Sequence, residues 1–253
     1  MSGSPTSEDR RDDTGQLVDV PSRVRRVVSL VPSLTESVAD SGLLVGATDW
    51  CTHPPDLDVA RVRGTKNPDV AGVLDLAPDL VLANQEENRA VDLDELRAAG
   101  IAVWVTAPET VDAALASLRR MLGVCGLDVP AWLTRAEDVW SRPWSGERVT
   151  AVVPIWRRPW MALGRDTFAG DVLHRLGVDH VLAGAEERYP HFALGALPDH
   201  DLVVLPDEPY AFTADDGPEA FHRPARLVSG RHLTWYGPSL AEARDVLAAQ
   251  LYD

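Results

Sequence analysis

The sequence predicts an α/β chain of two lobes, each built on a parallel sheet. Three observations lead there. Short apolar runs alternate with helix-period segments that close on glycine. One stretch of the second half echoes a stretch of the first. The loops that follow the apolar runs gather tryptophan, arginine and glutamate.

The first unit is read as follows. Residues 27–31 (VVSLV) form a short buried strand that Pro32 ends. Ser33 and Glu36 have capping-box spacing and are expected to open a helix, with Ser33 as N-cap, that stops at Gly42. Residues 43–48 are the next strand, which completes a βαβ unit. The alternation continues with a helix over 69–76 and a strand over 80–83. A helix over 92–99, closed by Gly100, and a strand over 101–105 follow. Helices are expected over 110–122 and 130–139, and the break at 142–146 marks a lobe boundary. Beyond it come a strand over 149–155, a helix over 167–176 ending at Gly177, a strand over 178–182 and a final helix over 239–251. Residues 78–83 (PDLVLA) resemble 201–206 (DLVVLP), and acidic groups follow each: Glu86 and Glu87 in one, Asp207 and Glu208 in the other. Two similar lobes explain that weak repeat. The expected organisation is a disordered tail over 1–22, an N-terminal lobe over 23–108, a linking helical segment over 109–145 and a C-terminal lobe over 146–253.

Composition narrows the function. The formal net charge of −15 repels phosphate backbones and disfavours nucleic-acid binding. No run approaches the roughly 18 apolar residues of a membrane span. The sequence begins MSGSPTSEDRRDD, without an apolar leader or a nearby cysteine for a lipid anchor, so the expected location is the cytoplasm. Cys51 and Cys125 have no finger or CxxC spacing and read as two free thiols. Cys51, His53 and Asp49 are too few for a structural zinc site. Neither a G-x-S-x-G elbow, nor a Walker loop, nor G-x-G-x-x-G, nor H-E-x-x-H occurs. No intrinsic cofactor or metal is therefore expected, and a binding role is preferred to catalysis.

Ligands of open α/β sheets sit beyond the carboxyl ends of the strands. That rule selects Ser33, Trp50, Asn84, Glu86, Glu87, Trp156, Arg157, Trp160, Glu208 and Tyr210, with His53, Lys66 and Trp235 in flanking loops. If the lobes face each other, these loops line one cleft. Eight Trp against four Phe is a high share, and flat indole faces suit a large planar ligand such as a corrin or a haem. Arg157, Arg158 and Arg165 suit its carboxylate or phosphate groups. His174, His180, His200 and His222 read as surface residues.

Residues 26–36 (RVVSLVPSLTE) resemble the opening of the cobalamin-binding proteins of ABC importers. Residues 46–55 (GATDWCTHPP), 64–68 (GTKNP), 76–83 (LAPDLVLA) and 85–89 (QEENR) are similar to the same family, as is 96–105. The C-terminal half is similar more loosely, through 159–176 and 201–208, and the resemblance covers roughly residues 24–250. It implies the class III substrate-binding-protein fold: two Rossmann-like lobes joined by a linking helix, as in the helical-backbone metal receptors. It also implies a small-molecule ligand such as cobalamin, haem or a ferric siderophore. Trp50 and the turn at Pro159-Trp160 match aromatic ligand-facing positions, whereas Asn84 stands where some members carry an aromatic. Exported members dock on their permease through one glutamate per lobe, and Ala71 and Thr234 stand at those positions here. The expectation is a cytoplasmic, non-catalytic binding protein for a corrinoid or metal chelate. The alternatives are a substrate-binding subunit of an importer, or an enzyme using Glu87 or Glu208 as acid or base.

Overall fold

The computed structural model describes residues 10–252. They form two compact units. The first holds the described residues up to Pro108, with Ala114–Leu133 and Tyr236–Pro238. The second holds Glu109–Ala113, Thr134–Trp235 and residues from Ser239 onward. Among the described residues, no helix is long and apolar enough to cross a membrane.

The first unit begins with β1 (Val27–Ser29), α1 (Pro32–Val38), β2 (Leu44–Ala47) and β3 (Ala60–Arg61). A short hairpin of β4 (Arg63–Gly64) and β5 (Asn67–Pro68) follows, then α2 (Val70–Asp75), β6 (Leu80–Asn84), α3 (Ala90–Ala98) and β7 (Ala102–Thr106). Its sheet runs β3-β2-β1-β6-β7, parallel throughout. The near-continuous apolar runs VVS, LVLAN and AVWVT occur because helices and loops bury both faces of such a sheet. Val28, Val81, Ala83 and Leu96 are fully buried in its core. The expected capping box does not form: α1 starts at Pro32, its N-cap is Val31, and no side chain caps it. Proline, with φ preset and no N–H to satisfy, opens the helix before Ser33. Gly42 ends that region at φ +72°, as glycine permits.

The tail expected over 1–22 is corrected for residues 10–20; residues 1–9 lie outside the described residues. Arg11 bridges Leu17, and Val18 and Val20 are buried. Asp13 anchors the segment: its carboxylate accepts from Ala107 N at 2.8 Å, from Ser117 Oγ at 2.6 Å and from Arg120 Nη2 at 2.5 Å. Asp12 Oδ1 accepts from Thr14 N and Gln16 N, both at 3.0 Å. The acidic composition that reads as a solvated tail instead supplies acceptors for a loop and a helix.

The chain passes between units along α4 (Val111–Val124) and α5 (Ala131–Trp140). The second unit adds β8 (Val149–Val152), the antiparallel pair β9 (Pro154–Trp156) and β10 (Met161–Ala162), α6 (Phe168–Arg175) and β11 (Val178–His180). After these come β12 (Leu202–Pro206), β13 (Ala225–Val228), α7 (Gly230–Thr234) and α8 (Leu240–Tyr252). Its sheet is parallel, in the order β11-β8-β12-β13. In both units the first strand lies between the second and the next long strand. The echoing stretches 78–83 and 201–206 contribute β6 and β12, which hold that same place.

Asp13→Ala removes three acceptor contacts at once, one of them to a guanidinium. It is expected to lower stability by about 2–3 kcal/mol, read as a fall in the urea midpoint with unchanged slope.

Candidate functional site

In the first unit the connections diverge between β1 and β6, so the loops after these strands form a topological switch point. Asn84, the last residue of β6, organises it. Its Oδ1 accepts from Glu86 N at 2.8 Å and Glu87 N at 3.0 Å, an Asx-type turn. Its Nδ2 donates to Thr106 O at 3.0 Å and to Tyr236 Oη at 2.6 Å. Tyr236 Oη also lies 2.8 Å from Thr106 Oγ1, and burial pushes the phenol well above the ordinary tyrosine range. Asn88 repeats the device: Oδ1 accepts from Asn84 N at 2.9 Å, and Nδ2 donates to Thr65 O at 2.9 Å. Asn84 thus holds the loop from inside, and Glu86 and Glu87 stand exposed at its rim. Lys66, at the tip of the β4–β5 hairpin, donates to the Glu86 carbonyl.

Trp50 is 66% exposed, on a loop that is nevertheless pinned. Arg61 Nη1 donates to Thr48 O and Cys51 O, both at 2.9 Å, and Nη2 reaches Leu57 O at 3.2 Å. Cys51 Sγ is buried against Thr35 Oγ1 at 3.0 Å and Thr48 Oγ1 at 3.1 Å. A Cβ at Gly64 would come 3.2 Å from Trp50 Nε1, so glycine leaves room for the indole. His53 Nδ1 lies 3.3 Å from Thr52 Oγ1. Ser33 is buried in α1, and its carbonyl accepts from Ser37 Oγ at 2.8 Å.

The second unit sorts its tryptophans. Trp156 ends β9, is 42% exposed and meets Tyr210 edge to face at 5.6 Å. Tyr210 Oη donates to Asp216 Oδ2 at 2.5 Å. That bond, followed by the charges of Arg157 and Arg158, holds Asp216 below the usual carboxylate range. Arg157 pairs with Asp216 and with Glu219 Oε1, and its guanidinium lies 5.2 Å over the Trp160 ring. Trp160 is half-buried among other aromatic rings. It stacks on Phe212 at 6.1 Å and meets Phe221 edge-on at 5.3 Å, packed against a core of Val152, Val203 and Leu205. Trp235 Nε1 donates to Glu208 Oε2 at 2.9 Å. Burial first, then the neighbouring Asp207 charge, pushes the Glu208 carboxyl up.

The structure therefore brings Trp50, Lys66, Glu86 and Glu87 to the carboxyl edge of one sheet, and Trp156, Arg157, Glu208 and Tyr210 to that of the other. Asn84, Ser33 and Trp160 are given internal roles. Sequence reading missed Asn88, Arg61 and Tyr236: the partners of Tyr236 are remote in the chain, and Arg61 and Asn88 bond mainly to backbone groups, which no residue pattern signals. His180 is half-buried, not a surface residue, with Nε2 2.8 Å from Gly164 O. Among the described residues, no group of three or more His, Cys, Asp or Glu could hold a metal ion. Cys51 and Cys125 are free and buried, and burial pushes the Cys125 thiol up to about 12.

No family model matches the chain. Among curated proteins it is 30% identical over 103 residues to a vitamin B12-binding protein of Vibrio cholerae, covering 39% of this chain and 37% of that one. It is 35% identical over 97 residues to an uncharacterized ABC transporter substrate-binding lipoprotein of Bacillus subtilis, covering 36% of this chain and 31% of that one. The chain thus aligns with about a third of the length of these relatives. Solved structures extend the likeness. The periplasmic vitamin B12 binding protein BtuF of Vibrio cholerae gives a TM-score of 0.74 at 17% identity, covering 90% of this chain and 96% of that one. The periplasmic heme-binding protein RhuT of Roseiflexus gives 0.70 at 20% identity, covering 91% and 98%. The fold is that of the class III substrate-binding proteins: two α/β lobes with parallel sheets, joined by helices. These similar proteins are named for binding and transport, not for a reaction.

The cytoplasmic expectation is overturned by these matches. The similar binding proteins of Vibrio and Roseiflexus are periplasmic, and the Bacillus relative is a lipoprotein. A polar start to the sequence does not carry a location against them.

Glu208 generates a pH prediction. Its folded-state pKa is raised above the ordinary 4.5, so folding favours the protonated carboxyl. That contribution is full below pH 4.5 and is lost as pH rises through the raised value. Glu208→Gln mimics the protonated form. Urea midpoints should show the variant at least as stable as the parent at neutral pH, with the difference shrinking towards zero in acid.

Proposed function

We propose that the chain is the substrate-binding component of an ABC importer, carrying a corrinoid, a haem or a ferric chelate, with no catalytic step of its own. The observation that supports this most is the pair of exposed indoles: Trp50 on a loop pinned by Arg61 and the buried Cys51, and Trp156 at the end of β9 against Tyr210. An aromatic face held in place before binding loses little conformational freedom on contact with a flat ligand. The names of the vitamin B12- and heme-binding relatives support the same class of cargo. Lys66 gives its rim positive charge for ligand carboxylates or phosphates, and Glu86, Glu87 and Glu208 give acceptors. Ala71 is exposed on α2, and Thr234 Oγ1 donates to Gly230 O at 2.8 Å, so neither offers a carboxylate to a permease. Docking on an importer would have to read other acids of this surface.

Titration with hydroxocobalamin, haemin and a ferric siderophore, followed by visible absorbance and calorimetry, tests the proposal. One of the three is expected to bind saturably with a spectral change. Trp50→Ala is expected to weaken that ligand roughly tenfold, about 1.4 kcal/mol, without changing the unfolding midpoint. No heat and no spectral change with any of the three would overturn the proposal.

A further inference from the structure

The second unit carries a basic cavity at the opposite end of its sheet. It has a volume of about 360 Å³ and is lined by Trp140, Arg142, Trp144, Arg148, His174 and Arg175, with Ser141 and Pro143 completing it. Arg148 precedes β8, and His174 and Arg175 end α6 ahead of β11, so the cavity lies at the amino-terminal edge of the strands. No Asp or Glu lines it. That lining contrasts with the chain's net charge of −15. A neighbouring cavity of about 290 Å³ shows the contrast, with Glu109, Asp166, Asp171 and Asp179 in its wall.

The arginines are oriented by carboxylates outside the cavity yet keep donors in reserve. Arg142 pairs with Asp138 through Nη2. Arg148 uses Nε and Nη2 on Asp179, and its Nη1 makes only a 3.4 Å contact to His174 O. Arg175 uses Nε on Asp171 at 2.9 Å and Nη2 on Asp112 at 2.8 Å, and its Nη1 reaches only Trp140 O at 3.4 Å. Behind the wall, Arg244 packs on two lining residues: Nη2 donates to Pro143 O at 3.1 Å, and the guanidinium lies 5.9 Å over the Trp140 ring. Arg244 Nη1 is buried without a hydrogen-bond partner. Burial first, then the charges of Arg142 and Arg175, holds the Arg244 guanidinium below the ordinary arginine range. Four carboxylates, Asp138, Asp179, Asp171 and Asp112, answer these arginines, and none of the four lines the cavity.

We infer that this cavity is an anion site for the phosphate group of a small aromatic phosphate ester, separate from the carboxyl-edge loops. A phosphate ester carries up to two negative charges and three acceptor oxygens, and guanidinium nitrogens match that geometry. Trp144, stacked on Tyr252 at 5.1 Å, gives the wall an aromatic surface for the rest of the molecule. A free carboxylate fits less well, because it brings one charge to several donors.

Phenyl phosphate is the probe, with phenol as its neutral counterpart, titrated calorimetrically at low ionic strength. The expected result is one saturable site for phenyl phosphate, weakened by added salt, and none for phenol. Arg142→Gln should lose roughly tenfold in affinity. The Arg142–Asp138 pair is exposed at 63% and 64%, so that variant should fold normally. Asp138→Asn frees Arg142 from its carboxylate and should bind phenyl phosphate more tightly than the parent. No saturable binding, equal binding of phenol, or parental affinity in both variants would overturn the inference.

Discussion

Parallel pairing is the constraint on which the rest depends. Parallel neighbours cannot be joined by a tight turn, so each connection crosses a face of the sheet. The first strand of each unit takes a central place, β1 between β2 and β6, and β8 between β11 and β12. Loops leaving its carboxyl edge then run to opposite sides and leave backbone polar groups to be satisfied there. Short polar side chains do this in each unit. Asn84 ties the loop after β6 to β7 and to Tyr236. Asp207, just beyond β12, accepts from Gly230 N at 2.5 Å and ties that loop to the segment after β13. Trp50 and Trp156 stand exposed outside these two loops, Trp50 on a loop that Arg61 pins and Trp156 at the end of β9.

The fold was legible because its determinants are local. Buried strands read as apolar runs, Gly42, Gly100 and Gly177 stop helices at positive φ, and Asp69 and Thr167 cap α2 and α6 with their side chains. Where two local signals competed, the stiffer one prevailed: Pro32 set the start of α1 against the Ser33–Glu36 spacing. The N-terminal segment misled because Asp12 and Asp13 look solvated until their donors, near residue 105 and in α4, are known.

The candidate site was legible by loop and not by residue. The carboxyl-edge rule picks segments that do lie at that edge, but it cannot separate Trp156, which is exposed, from Trp160, four residues on, which packs among Phe192, Phe212 and Phe221. That choice rests on aromatic partners far along the chain. Arg157 illustrates the same limit, since its charge is already answered by Asp216 and Glu219. Location was the reading that failed outright, because composition near a chain start carries no information about the fold that the rest adopts.

The central claim is that ligand recognition belongs to the carboxyl-edge loops of the two sheets. Hydrogen–deuterium exchange with and without saturating haemin or hydroxocobalamin tests it most directly. Amides at 50–53, 85–88, 156–160 and 207–212 are predicted to gain protection together. Protection confined to other segments, or binding that leaves all four loops unchanged, would contradict it.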